Sequence, residues 1–218
     1  RFTAIPNIYI ADGHHRSAAS AKVGKQLREE HPNYTGNEPF NFFLSCLFPS
    51  NQLQIQDYNR LIKDTNGLNE DELIEKIKSN FDVEKIGAQI YKPTQLHEFS
   101  MYVNGNWYKL TAKQNTYDEN DPIAVLDVTI LSNYLLDPIL NIRDQRTDKR
   151  IDFVGGIRGL AELQKRVDSG EMKIAFAFYP VSLDQLIAIA DSGNIMPPKS
   201  TWFEPKLKSG LVINLLNN

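Results

Sequence analysis

A short apolar run, Ile8-Tyr9-Ile10-Ala11, leads straight into Asp12-Gly13-His14-His15-Arg16, and a helical pattern of small residues then runs from Ser17 to Glu30. That order predicts a buried strand, a tight turn and a helix start within about ten residues. The chain must pass from extended to helical at one glycine, which accepts left-handed backbone and lets a ligand approach closely. A helix start carries about half a positive charge and several unpaired N–H groups, so it favours anions. Arg16 adds a planar fork of donors suited to phosphate or carboxylate oxygens. At helical spacing Arg16 shares a face with Ala19, Ser20, Val23 and Leu27, which predicts that it points inward and needs an anionic partner. Either Asp12 or a bound phosphate fills that role. His14 and His15 read as donors at the turn. One His-His step without distant ligands does not make a metal site, so no metal ligand is assigned.

The 218 residues suffice for one large domain or two small ones, with ordinary apolar and charged fractions of 41% and 23%. A net charge of -3 gives no electrostatic footprint for nucleic acid or an anionic membrane. No apolar run approaches the roughly 18 residues of a membrane span, and no signal-peptide pattern opens the chain. The single cysteine, Cys46, excludes an internal disulfide and points to the cytoplasm. It lies in an apolar run, which predicts a buried, inert thiol. The chain opens Arg1-Phe2-Thr3, without Met, and reaches its key turn at once, as the later part of a longer protein would.

Phe40 to Phe48 is apolar on both faces, which predicts a central strand. Leu53 to Asp57 reads as another short strand. Asn69-Glu-Asp-Glu72 is a capping box for a helix with Ile74, Ile77 and Phe81 on one face. Asn104-Gly105-Asn106, flanked by Glu98–Val103 and Trp107–Leu110, signals a hairpin whose aromatics pack on a sheet. Leu131, Tyr134 and Leu135 mark a helix ended by Asp137-Pro138. A strand at Ile151–Val154 runs into Gly155-Gly156, then a helix with Leu160, Leu163 and Val167 inward, closed by Gly170. Met172–Tyr179 reads as a buried strand, and Ser182-Leu-Asp-Gln185 caps a helix closed by Gly193. These elements predict an α/β (mixed α+β) protein, with a mixed sheet flanked by helices.

Two further stretches are rich in polar chemistry. Arg146-Thr-Asp-Lys-Arg-Ile-Asp152 reads as a salt-bridged loop. In Met196-Pro-Pro-Lys-Ser-Thr-Trp-Phe-Glu-Pro-Lys-Leu-Lys-Ser-Gly210 the prolines stiffen the backbone. Lys199, Ser200, Thr201 and Lys206 suit phosphate oxygens, and Glu204 suits a base or a metal ligand. The alternative is a solvated surface loop. The Gly-rich half of a Walker loop is absent.

Ile-Ala-Asp-Gly-His-His-Arg16, Thr147-Asp148, Asp152-Phe-Val-Gly-Gly156, Val167-Asp-Ser-Gly170 and Met196 to Lys206 occur in the order found in the bacterial family called domain of unknown function 1015. The chain resembles the C-terminal part of its members. The Asp12–Arg16 box also resembles the phosphate-binding box of the ParB and sulfiredoxin fold, and in particular that of free-serine kinases. This likeness implies a ParB/sulfiredoxin-like strand–turn–helix element, with nucleotide phosphates on Gly13, His14, His15 and Arg16. It divides the chain into part of a ParB-like nucleotide-binding core (1–64), a helix-plus-hairpin insertion (65–113) and an α/β C-terminal part (114–218).

The function expected is nucleotide-dependent phosphoryl transfer to a small hydroxyl metabolite, with ATP or ADP and Mg2+ as cofactors. Asp12 and Glu204 are the candidate catalytic carboxylates. Gly13, His14, His15, Arg16, Lys199, Ser200, Thr201 and Lys206 are the candidate cofactor-binding residues. Phosphoryl transfer asks mainly for positioning and charge neutralisation, which two basic clusters can supply. In the kinases resembled, the base that activates the hydroxyl precedes the box. The alternatives are a nucleotide-binding module without transfer, or a metal-assisted phosphohydrolase using Asp12, His14 and His15. The partners expected are a nucleotide and a small-molecule substrate, with no nucleic acid and no membrane; the oligomeric state stays open. The arrangement requires the tail loop to meet the Asp12 turn.

Overall fold

A computed structural model describes residues 2–208 and 210–216. The chain forms two compact units, residues 1–54 with 203–218 and residues 55–202. The strands are β1 (Gln54–Gln56), β2 (Tyr58–Ile62), β3 (Phe81–Gly87), β4 (Glu98–Val103), β5 (Asn106–Ala112), β6 (Ile151–Gly155), β7 (Ile174–Phe178) and β8 (Trp202–Glu204). The α-helices are α1 (His14–Glu30), α2 (Glu70–Ile77), α3 (Asp127–Leu131), α4 (Leu160–Asp168) and α5 (Leu183–Asp191). The fold is therefore mixed α and β, with sheets flanked by helices. β1 pairs with β8 in a two-stranded ribbon.

Residues 55–202 are built on a six-stranded sheet of order β3-β5-β4-β7-β2-β6, antiparallel at every junction. Its strands come from all three of the stretches into which the sequence was divided. The β4–β5 hairpin turns on Asn104 and Gly105, both with positive φ, as a type I′ turn requires. Alternation splits the apolar residues between the faces. Ile62, Phe99, Met101, Leu110, Ile174 and Phe176 pack with Leu73 and Ile77 of α2 and with Leu131, Leu135 and Leu140. Leu61, Tyr102, Trp107, Val154 and Ala175 pack with Leu163 of α4 on the other face. Asn69 with Glu72, and Ser182 with Gln185, form both expected capping boxes. The helix begun by α3 continues as a π-turn over Ser132–Leu136.

Gly155 and Gly156 have packing reasons to be glycine. A β-carbon on Gly155 would stand 2.7 Å from the Trp202 ring, and one on Gly156 would stand 2.0 Å from the Asp57 carboxylate. The basic loop after α3 is salt-bridged, with Arg146 on Asp144 at 3.1 Å and Arg150 on Asp148 at 2.8 Å.

In residues 1–54 with 203–218, α1 packs on a short 3-10 turn, Pro39–Asn41, where Phe40 is buried. Its ring takes edge contacts from His31 and Tyr34. Glu38 binds the Thr35 and Gly36 N–H groups and the Asn41 amide, and Arg28 donates to Asn41 Oδ1 at 3.0 Å.

Three sequence expectations fail in this unit. Ile8 and Ile10 are exposed and lie outside any strand. Phe40–Phe48 holds one 3-10 turn rather than a central strand, and Phe42, Phe43, Leu44 and Leu47 are exposed. An apolar run shows what a strand would bury, but it becomes a strand only where a neighbour pairs its N–H and C=O groups. Cys46, in the same run, is exposed for the same reason.

The packed face of α1 is also displaced from the one expected. Ser17, Ser20, Gly24, Leu27 and Arg28 are the shielded positions, while Arg16, Ala19 and Val23 are exposed. Gly24 sets this face, because the Phe40 carbonyl lies 2.8 Å from the place its β-carbon would occupy. Close backbone approach, rather than side-chain hydrophobicity, chose the side of the helix.

Candidate functional site

The Asp12 turn is assembled by local geometry first. Gly13 is the N-cap of α1 in left-handed conformation, with φ of 80°. It has no side chain with which to cap the helix, so the first-turn N–H groups keep their capacity for an outside acceptor. The Asp12 carboxylate accepts the Gly13 N–H at 2.8 Å through Oδ1. Its other oxygen accepts the Lys206 ammonium at 3.1 Å. The Lys206 N–H in turn donates to Glu204 Oε2 at 3.1 Å. The Arg16 guanidinium folds back over Gly13, where a β-carbon would come within 3.0 Å of Nη2. His14 and His15 are exposed on the first turn.

The structure therefore brings Asp12, Gly13, Arg16, Glu204 and Lys206 together. Asp12 takes Lys206 as its ion-pair partner, and Arg16 contributes only longer-range charge to it. Partial burial raises the Asp12 pKa, but the Lys206 and Gly13 hydrogen bonds and the Lys206 and Arg16 charges outweigh it, leaving the group below its usual range. Arg16 does not point inward as its helical spacing implied, so burial imposes no counter-ion on it. Its guanidinium is presented to solvent beside the uncapped helix start.

Lys199, Ser200 and Thr201 belong to residues 55–202. The Lys199 ammonium lies over the Tyr58 ring, 5.4 Å from its centre. Ser200 is buried, and its hydroxyl donates to Pro197 O at 2.7 Å. Thr201 is half-buried.

Sequence reasoning missed two polar features of residues 55–202. Arg60 is fully buried in β2, against the rings of Phe153 and Phe178, and among the described residues it forms no ion pair with a carboxylate. It donates to Gln145 Oε1 and to the carbonyls of Tyr58 and Lys199. Burial pushes its pKa down to about 9. Asp127, at the start of α3, is buried and accepts from His97. The signal for Arg60 was weak, because its strand reads Tyr-Asn-Arg-Leu-Ile and only Leu61 and Ile62 mark it as buried. Asp127 had no signal beyond its place at a helix start.

Among the described residues no three His, Cys, Asp or Glu side chains stand together as a metal site would need. No helix among them is long and apolar enough to cross a membrane.

Several solved structures resemble the chain. A variant of a free serine kinase in complex with AMP matches 89% of this chain and 66% of its own, at 13% identity and a TM-score of 0.43. A second variant, in complex with ADP, gives the same coverage and identity at 0.41. A conserved hypothetical protein from Pyrococcus furiosus matches 91% of this chain and 72% of its own, at 16% identity and a TM-score of 0.46. The chain thus spans 66% of the length of the free serine kinases it matches. No curated protein matches the sequence. The family model described as "Protein of unknown function (DUF1015)" matches residues 1–129, more than half of the chain. By that match, the chain belongs to the DUF1015 family of proteins of unknown function.

Proposed function

We propose that the Asp12–Arg16 turn binds the phosphates of ATP or ADP, and that the protein to which this chain belongs transfers a phosphoryl group to a small hydroxyl metabolite. The observation that carries this reading is the convergence of the uncapped start of α1 and the Arg16 guanidinium on one glycine turn, with the Lys206 ammonium beside them on the Asp12 carboxylate. The left-handed glycine leaves the space over the turn free of a β-carbon, as a phosphate cradle requires. The likeness of the box to the phosphate-binding turn of free-serine kinases supports the same assignment.

Gly13, His14 and His15 offer donors at the helix start, and Arg16 and Lys206 supply charge. Asp12 holds Lys206 in place, and Glu204 holds the Lys206 backbone. Magnesium comes to such a site on the phosphates and keeps most of its water, so it needs no cage of protein ligands. A charge-assisted hydrogen bond nets roughly 1.5–3 kcal/mol and a helix end adds up to about 2. Three such contacts, less the cost of association, give roughly 4–8 kcal/mol, which is millimolar to micromolar affinity. That suits an abundant nucleotide.

The test is calorimetric titration of ATP and ADP, each with magnesium, into this chain and its Arg16→Ala variant. Millimolar-to-micromolar binding that weakens on the order of tenfold in Arg16→Ala is expected. Equal affinity in the two proteins overturns the assignment of the phosphates to this turn. Transfer itself is tested by supplying the full-length protein with magnesium, either nucleotide and small hydroxy amino acids. Binding without any phosphorylated product leaves a nucleotide-binding module instead of a kinase.

A further inference from the structure

The Asp12 carboxylate is itself an anion at the glycine turn. Its Oδ1 accepts the Gly13 N–H at 2.8 Å, its Oδ2 accepts the Lys206 ammonium at 3.1 Å, and the Arg16 charge acts on it at longer range. Asp12, Gly13, Arg16 and Lys206 all belong to the unit of residues 1–54 with 203–218. Groups suited to a phosphate are thus partly engaged by a residue of the chain. An incoming anion meets like charge first, and it must displace a carboxylate tethered beside the glycine.

Opening the contact asks little of the fold. Both side chains reach solvent, Lys206 at 39% and Asp12 at 55% exposure, and an ion pair so placed contributes little to stability. The Lys206 backbone N–H is held by Glu204 Oε2 at 3.1 Å, so the main chain stays in place while the lysine side chain turns. What the exchange requires is an anion stronger than a carboxylate. A tethered monoanion keeps its donors against another monoanion. A terminal phosphate brings about two charges and three acceptor oxygens, and charge-assisted bonds to Lys206 and Arg16 favour it over the carboxylate.

We propose, resting on the phosphate reading above, that Asp12 is a built-in competitor of the ligand: it engages Lys206 and the Gly13 N–H until a polyanionic phosphate takes the lysine from it. The site therefore accepts inorganic pyrophosphate or a nucleoside diphosphate and passes over monoanions such as acetate.

The experiment titrates ADP and inorganic pyrophosphate into the protein and its Asp12→Asn variant, at fixed ionic strength and with a chelator that removes divalent cations. Asparagine keeps the size of the side chain and an oxygen for the Gly13 N–H, but removes the charge. Affinity for both ligands is expected to rise on the order of fivefold in the variant, the scale of an exposed ion pair. Equal or weaker binding by the variant, with the parent still binding, overturns the competitor and leaves the phosphate reading standing. Failure of both ligands to bind either protein withdraws the phosphate reading and this inference with it. A second readout needs no variant: the Asp12 carboxyl carbon resonance of the parent, followed as ADP, pyrophosphate or acetate is added. A shift that saturates with ADP and pyrophosphate, and is absent with acetate at the same concentration, is expected. A resonance that stays in place while ADP binds, or one that acetate moves equally, overturns the proposal.

Discussion

The Lys206 ammonium meets the Asp12 carboxylate at 3.1 Å across 194 positions of sequence. Burial raises the Asp12 pKa, and the Lys206 hydrogen bond is the largest of the influences that bring it below its usual 3.8. A carboxylate whose folded pKa is depressed adds stability above its unfolded value and loses it as pH falls through the folded one. Lys206→Met should therefore raise the Asp12 pKa, as followed by the carboxyl carbon shift during an acid titration. An unmoved midpoint would mean that the pair does not form in solution.

Gly13→Ala places a side chain at a φ of 80°. The approach to Arg16 is tolerable, because a flexible guanidinium end can move aside. The backbone strain is the larger effect, about 1 kcal/mol. A lowered melting temperature is expected, with part of the loss recovered by Gly13→Asn, since asparagine accepts the left-handed region.

Gly24→Ala sets two effects against each other. Alanine is favoured in a helix interior by about 1 kcal/mol. Its β-carbon, however, would stand 2.8 Å from the Phe40 carbonyl, and backbone cannot yield as a side-chain end can. The variant should be less stable than the parent in chemical unfolding. Greater stability would show that α1 does not pack on Phe40 through this face.

Glu98 is buried under a set of donors: Tyr91, Thr94, Gln95 and Lys109. Burial raises its pKa, but Lys109 and the Thr94 and Tyr91 hydrogen bonds overcome this and hold it at about 2. Its folded pKa is depressed, so its contribution is present above 4.5 and lost as pH falls toward about 2. Lys109→Met should destabilise the protein on the order of 2 kcal/mol at neutral pH, because it strands a buried charge. Unfolding curves for parent and variant should converge as the solution is acidified through that window. A pH-independent difference would assign the effect to lost packing of the lysine stem.

The elements that could be read in advance carried their own local signals. Asn69 and Ser182 announce their helices because the capping side chain and its N3 partner lie within four residues. Asn104-Gly105 announces a turn because only certain residues accept positive φ. The glycine turn at Asp12 was legible for the same reason, whereas its ion pair with Lys206, 194 positions away, had no local signal; only a meeting of the tail loop with the turn was expected. What escaped depends on distant neighbours. Nothing near Phe42 tells whether a strand will come to pair with it, and nothing near Gly24 tells that Phe40 will press against it. Arg60 sits in a strand of mixed polarity, and its explanation lies at Gln145 and Lys199. Asp127 finds its partner at His97, on the loop entering β4.

The position of β2 in the sheet has a consequence during synthesis. β2 lies between β7 and β6, and Ile62 pairs with Ile151 on one side and Ile174 on the other. At about 5–20 residues per second, the ribosome releases β2 on the order of ten seconds before either neighbour exists. Over that interval a strand bearing Leu61 and Ile62 has two open edges, the condition under which nascent chains stick to one another. Arg60, at the centre of the strand, acts then as a gatekeeper, its charge opposing intermolecular pairing until Phe153 and Phe178 arrive to enclose it.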